Sequence, residues 1–253
     1  MGRLDNKVAV ILGASDERSI GAATARRFAQ EGAEIVVAAR NLEGLQKVAE
    51  SVNGTAIGCD ITNEDDLAHL AKSAREIYGD LHIGINYAGA GFVGPIAKAQ
   101  AEDFRKSSEL HFVGPAMFFK HMAAEMKNGG SLMTTSTLTA LTAPPGMAAY
   151  AGSKAGTDQM VRIAAGEFGP QNIRVNAIAP GFTNTAMTEA YFAMENVRTA
   201  YLKEIPLGRF VTVDDIANAA LWLASDEAFI TGQVLDITGG QSLRRLPRPD
   251  ELS

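Results

Sequence analysis

Short runs of apolar and β-branched residues recur along the chain with longer amphipathic stretches between them, and this alternation restricts the fold more than any other feature. The runs fall at 8–12, 35–39, 56–57, 83–85, 132–135, 175–178 and 234–237, which makes seven candidate strands. Helical periodicity occupies 21–30, 65–78, 104–126 and 149–168. Strands and helices alternating in this way predict a parallel sheet covered on both faces, a doubly wound α/β architecture. The 253 residues, 46% hydrophobic and 21% charged, supply enough material for one such core. Gly169 followed by Pro170 is expected to end the fourth helix, the glycine as a left-handed cap and the proline because it cannot continue the helix. Residues 182–206 hold no strand and are expected to form a helical flap inserted into a single domain spanning 1–253. Residues 244–253, with two prolines, are expected to form a tail.

The formal net charge of −6 argues against nucleic acid or an anionic membrane as partner and favours small molecules. Cys59 is the one cysteine, so no intrachain disulfide forms. The start at Met1 shows no apolar leader, and no stretch approaches the roughly 20 apolar residues of a membrane helix, so a cytoplasmic location is expected.

Two local patterns carry chemistry. The first strand runs into a glycine-containing turn, 13–21, and then a helix, the setting in which backbone amides at a helix N-terminus meet a dinucleotide pyrophosphate. Ser19 is placed to cap that helix at Ile20 or Gly21. Further on, Tyr150 and Lys154 stand four residues apart in a helical segment and therefore share a face. A nearby cation lowers a phenol pKa from its usual value of about 10, so the pair is a candidate proton-transfer site.

Taken in order, the turn 13–21, Asn86-Tyr87-Ala88-Gly89, Tyr150-x-x-x-Lys154 and Pro180-Gly181 resemble the short-chain dehydrogenases/reductases along essentially the whole chain. Runs at 205–210, 215–217, 224–226, 231–233 and 239–240 are in keeping with that family. The resemblance implies a Rossmann-type oxidoreductase, usually a homotetramer (or a homodimer), that moves hydride between a nicotinamide and a carbonyl or alcohol carbon. It implies Tyr150 as general acid/base, with Lys154 holding the nicotinamide ribose and lowering the tyrosine pKa. Gly13, Ser15, Arg18, Ser19, Ile20 and Gly21 fall where the family holds phosphates. Asp60 and Ile61 fall at the adenine, Asn86, Ala88 and Gly89 along the same groove, and Pro180, Gly181, Phe182 and Thr185 at the carboxamide.

The departures from the pattern matter as much. The glycine turn is two residues longer than usual, with Ser19 at the middle glycine, and is similar to the turn of the divergent enoyl-reductase branch. That branch spaces its tyrosine and lysine by seven, whereas Thr157 holds the seventh position here, so carbonyl reduction is favoured over enoyl reduction. Tyr87 replaces the second asparagine of Asn-Asn-Ala-Gly. His111 stands where an asparagine orders a relay water, and reads equally as a relay or as a packed side chain. The hydroxyl that polarises the carbonyl is Thr137 by the family spacing of thirteen, or Ser136 if the loop carries an insertion. At the end of the second strand Ala39 replaces the carboxylate of NAD enzymes, and Arg40, Asn41 and Arg18 favour NADP(H) over NAD(H). The flap residues Phe182, Met187, Tyr191, Phe192, Met194 and Tyr201, with Phe92 and Val93, suit an apolar or aromatic carbonyl or alcohol substrate, or else belong to core or interface. A nucleotide-binding sensor or scaffold without turnover is the alternative of a different class.

Overall fold

The computed structural model describes residues 2–251; the expected tail at 244–253 therefore ends, at Leu252 and Ser253, outside the described residues, as does Met1. Its strands and helices run β1 (Val8–Leu12), α1 (Ile20–Gln30), β2 (Glu34–Ala39), α2 (Leu42–Ser51), β3 (Thr55–Gly58), α3 (Glu64–Tyr78) and β4 (Ile83–Asn86). They continue α4 (Ala101–Ser108), α5 (Gly114–Glu125), β5 (Gly130–Thr135), α6 (Leu138–Thr142), α7 (Ala148–Phe168) and β6 (Ile173–Pro180). The flap contributes α8 (Glu189–Phe192) and α9 (Glu195–Leu202), followed by α10 (Val213–Ala224) and β7 (Val234–Ile237). The sheet is parallel throughout, in the order β3-β2-β1-β4-β5-β6-β7.

Period-two alternation along each strand sends successive side chains to opposite faces and so builds two cores. Val8, Val10, Leu12, Leu132, Val175 and Ala177 face α3, α5 and α7, where Leu70, Phe118, Met122 and Val161 are buried. Ala9, Ile11, Val37, Ile85, Met133 and Ile178 face α1, α2 and α10, meeting Phe28, Leu45, Val48, Ile216 and Leu221. Because β1 has β2 on one side and β4 on the other, the crossovers after β1 and β4 leave in opposite directions. A crevice opens above their C-terminal ends, the place where open α/β sheets hold ligands.

Three boundaries differ from expectation. Gly169 is not a left-handed cap: at φ −51° it opens a 3-10 turn over Gly169–Gln171, for which Pro170 supplies a suitable φ, and the left-handed residue is Asn172 at φ 58°. The expected helix 104–126 is two helices, α4 and α5, joined by a π-helical turn at Glu109–Val113. Residues 244–251 fold back on the flap rather than trailing away, because Arg245 pairs with Glu204 (3.0 Å) and Glu251, and Arg244 donates to the Lys203 carbonyl (2.6 Å).

Candidate active site

Gly146, at φ +81°, follows Pro144 and Pro145 and lets the chain turn into α7 only two residues before Tyr150. Tyr150 and Lys154 then lie one turn apart on the face that meets the end of β5. Lys154 is 2% exposed and its Nζ donates to the Thr135 carbonyl at 2.5 Å. Burial lowers the lysine to about 8, opposed by the negative charge of Asp158. Burial raises the Tyr150 phenol, and the hydrogen bond from Thr137 pulls the other way. This corrects the expectation that Lys154 depresses the tyrosine: with the ammonium aimed at Thr135, desolvation dominates and the phenol stays protonated at neutral pH.

Thr137 and Ser136 both lie beyond the end of β5 and both meet α7, so the expected split to opposite faces of the sheet gives way to a split along one helix, one turn or more apart. Thr137 leaves β5 as the N-cap of α6, accepting from the Thr139 amide at 3.3 Å, and its hydroxyl meets the Tyr150 phenol. Ser136 lies further along the same helix, towards Asp158.

His111 sits in the π-helical turn and is fully buried. Its Nε2 accepts the Ala90 amide at 3.1 Å, so Nδ1 carries the proton and donates to Ser107 Oγ at 3.2 Å, while Ser107 donates to the Ala149 carbonyl at 2.9 Å. Burial, helped by the Lys154 charge, lowers the imidazole to about 3. Both ring nitrogens are therefore occupied on a neutral ring, and the His111 carbonyl is taken by the Thr157 hydroxyl. The ring packs edge-on against Tyr150 (centroids 5.1 Å apart) and against Phe92 (5.8 Å), forming one wall beside the phenol. Tyr87 is structural in the same sense: its hydroxyl accepts from Thr24 at 3.0 Å and pins α1 to the end of β4.

The residues around the crevice fit a dinucleotide. A Cβ on Gly13, at φ +95°, would lie 2.7 Å from the Ala88 amide nitrogen, and one on Gly21 would lie 2.6 Å from the Gly13 carbonyl oxygen, so only glycines permit this tight strand-turn-helix. Ser19 caps α1 by accepting from Ala22, which leaves Ile20 and Gly21 at the N-terminal, positive end of the helix dipole. Ser15 closes the turn against α2. Asn86 Nδ2 donates to Thr134 (3.2 Å) and its Oδ1 accepts from Ala88 (2.9 Å), fixing the backbone that leads to Gly89. Gly181, beside Pro180, is held to β7 by its N–H donating to the Ile237 carbonyl (2.9 Å), and the Thr185 amide donates to Thr188 (3.0 Å).

Other predicted contacts are placed differently. The Ile61 side chain is core, against Gly114, and leaves only its backbone to the crevice. Asn41 caps α2 by accepting from Gly44 (3.3 Å). The Arg40 side chain is 79% exposed and reaches Asp60 at 3.7 Å. Burial raises the Asp60 carboxyl, but the hydrogen bonds from Thr62 outweigh it and hold the carboxyl below its usual range. Arg18 is bound by Glu189 of α8 (2.9 Å) and faces Asp16 (3.8 Å), so it ties the glycine turn to the flap. Nothing in the sequence marks Glu189 as its partner. Asp158, by contrast, falls at i+8 from Tyr150 on the same helix face, a signal the sequence does carry. In the flap, Phe182 stacks on Tyr201 (4.0 Å) and Phe192 (4.5 Å), with Phe210 edge-on, whereas Met187, Tyr191, Met194 and Val93 remain exposed.

A family profile described as Enoyl-(Acyl carrier protein) reductase matches residues 13–242. The chain is 35% identical over 246 residues to the 3-oxoacyl-[acyl-carrier-protein] reductase FabG of Thermotoga maritima, covering 94% of this chain and 98% of that protein. Among solved structures, a short-chain type dehydrogenase/reductase from Mycobacterium ulcerans matches with a TM-score of 0.93 at 30% identity, over 98% of this chain and 93% of its own. A 7α-hydroxysteroid dehydrogenase complexed with NADH and 7-oxo glycochenodeoxycholic acid matches at 0.88 and 35% identity, over 94% and 95%.

Proposed function

The chain belongs to the short-chain dehydrogenases/reductases, oxidoreductases of CH–OH and C=O groups, and we propose that within that family it reduces an apolar ketone with NADP(H). The observation that carries this reading is the half-buried Tyr150 phenol on α7, packed edge-on against His111 and one helical turn from the buried Lys154, whose ammonium is fixed on the Thr135 carbonyl. A phenol is protonated at neutral pH and can therefore serve as a general acid, and the Lys154 ammonium one turn away is placed to stabilise the phenolate left by proton transfer.

Bound NADPH supplies the hydride that adds to the carbonyl carbon. Tyr150 gives its proton to the carbonyl oxygen, so that the C=O π bond opens, one C–H and one O–H bond form, and the phenolate is left beside the Lys154 ammonium. Thr137 donates to the oxygen as negative charge develops there. Lys154 holds the ribose hydroxyls, the glycine turn holds the pyrophosphate at the α1 N-terminus, and Arg40 meets the adenosine 2′-phosphate. Ala39 offers no carboxylate to a free 2′-hydroxyl, which supports NADP(H), although the hydroxysteroid dehydrogenase relative was solved with NADH. His111 acts as a packed wall that shapes the phenol's surroundings, and the relay role is set aside because both its ring nitrogens are engaged.

Phe92 stands beside His111 next to the phenol, and the exposed flap residues Met187, Tyr191 and Met194 supply apolar surface that suits an apolar body around the ketone. Relatives that act on a 3-oxoacyl group and on a 7-oxo steroid support the same class. For assembly we propose a homotetramer or homodimer. Phe104, Phe112 and Ile163 are exposed on or beside α4 and α7, next to a groove of ≈ 470 Å³ between α5 and α7 lined by Ala116, Met160 and Phe168. No helix among the described residues is long and apolar enough to cross a membrane.

The test is a panel of ketones, secondary alcohols and enoyl thioesters with NADPH and NADH, followed by absorbance of the reduced nicotinamide. Ketone reduction preferring NADPH is expected. Turnover of enoyl thioesters alone would support the activity named by the family profile, and tight NADPH binding without any turnover would support a sensor.

A further inference from the structure

One half-buried ionisable group on α7, Asp158, has no part in the chemistry just described. Asp158 stands one turn beyond Lys154, as Lys154 stands one turn beyond Tyr150, so the three line a single face of the helix. Across from it, Ser136 extends β5 and is 1% exposed. The two groups face each other, yet Ser136 Oγ and Asp158 Oδ1 are both buried without a hydrogen bond of ordinary geometry. A carboxylate placed in this way costs free energy that a neutral side chain of the same size avoids. What the carboxylate adds at this position is negative charge beside Lys154.

We propose that Asp158 is a positioning residue of the active site, whose carboxylate holds Lys154 charged and aimed at the end of β5 beside Tyr150. This rests on the reading of Tyr150 and Lys154 under Proposed function. Burial already draws the ammonium down to about 8, and Asp158 is the charge that opposes the loss of its proton. The groups facing Asp158 are Lys154 and Arg162 on its own helix, Ser136 on the β5 side and Asp236 on β7. Burial and Asp236 push its carboxyl up, while Ser136, Arg162 and Lys154 pull it down. Asp158, one turn along the same helix face, is thus the carboxylate placed to favour the charged form of Lys154.

The experiment follows Lys154 in two ways across pH 5–10 in the wild type, Asp158→Asn, Asp158→Ser and Asp158→Glu. One is the alkaline limb of kcat for ketone reduction. The other is the ¹³Cε resonance of Lys154 in lysine-labelled enzyme, assigned with Lys154→Met, which needs no substrate. In Asp158→Asn and Asp158→Ser both midpoints should fall by about one pH unit or more, the usual size of losing a close opposite charge, and Asp158→Glu should keep them near the wild type. A lower melting temperature with an unmoved Lys154 midpoint would mean that Asp158 only packs, and would overturn the proposal. Asp158→Ser, smaller and uncharged, decides the matter should the asparagine variant fail to fold. If Tyr150→Phe abolishes reduction while neither neutral variant moves Lys154, the function stands and this inference falls. If no substrate in the panel is turned over, the function falls and the resonance midpoint still decides for Asp158.

Discussion

At Tyr150 burial and hydrogen bonding act in opposite senses on one proton, and burial prevails. The phenol is thus set for donation, and Tyr150→Phe should lower kcat for reduction by at least the ~10²-fold of a lost general acid, with cofactor affinity nearly unchanged. The neighbouring hydroxyls divide by the direction each faces. Thr137 meets the phenol, so Thr137→Val should cost about 10²–10³ in kcat as loss of a donor to the developing alkoxide. Ser136 faces Asp158, and Ser136→Ala should do much less; a reversal in steady-state assays would move the oxyanion donor to Ser136. On the cofactor side, Arg40→Ala should weaken NADPH by about 1–2 kcal/mol, below the full value of a charged hydrogen bond because the guanidinium is largely solvated. NADH affinity should hardly change, and equal losses for both in a fluorescence titration would remove Arg40 from the phosphate.

Helices reach the site through their ends, which is why one residue of backbone matters at this scale. A Cβ on Gly44 would lie 2.1 Å from the Ser15 carbonyl oxygen, so the first turn of α2 packs directly on the glycine turn of the cofactor crevice. Gly44→Ala should push that turn aside and cost about 1–3 kcal/mol of overpacking, read as weaker NADPH binding and a lower melting temperature. On α7, where a Cβ at Gly166 meets nothing within 4 Å, Gly166→Ala should stabilise by up to about 1 kcal/mol. Equal effects of the two would show that α2 does not brace the crevice. The sequence makes all seven strands legible, because the five inner parallel strands are buried apolar runs and the edge strands β3 and β7, only partly buried, still carry short apolar runs. The Tyr150 and Lys154 pair is legible too, because i,i+4 spacing is local. The π-helical turn under His111 is not, since one extra residue per turn leaves helical periodicity nearly intact. Nor is the true helix end at Asn172 legible, because Gly169 and Pro170 favour a cap but also permit a 3-10 turn. Contacts such as Arg18 with Glu189, 171 residues apart, depend on the folded chain alone.

For the molecule as a whole, the buried histidines set how it meets acid. Burial takes His111 from 6.5 to about 3, and it also lowers His82, whose Nδ1 accepts the Val8 amide at 3.1 Å. Between pH 6.5 and 3 the unfolded chain therefore binds protons that the folded chain refuses. Stability contributed by a neutral His111 is complete above pH 6.5 and is lost as pH falls towards 3. At pH 5 that loss amounts to about 2 kcal/mol for His111. Carboxylates held low, such as Asp60 and Asp80, begin to lose their contribution only near their own unfolded range close to pH 4, and Asp158, pushed up, works in the opposite sense. Between pH 6.5 and 5 the lowered histidines thus reduce stability as pH falls, with the raised Asp158 opposing them. Urea midpoints measured there at fixed protein concentration should fall with pH in the wild type. In His111→Gln, whose amide oxygen can still accept the Ala90 N–H, the slope should flatten to the share left by His82. Two parallel curves separated by a constant offset would show that His111 is already charged in the folded enzyme, and would reopen its claim to a role in proton transfer.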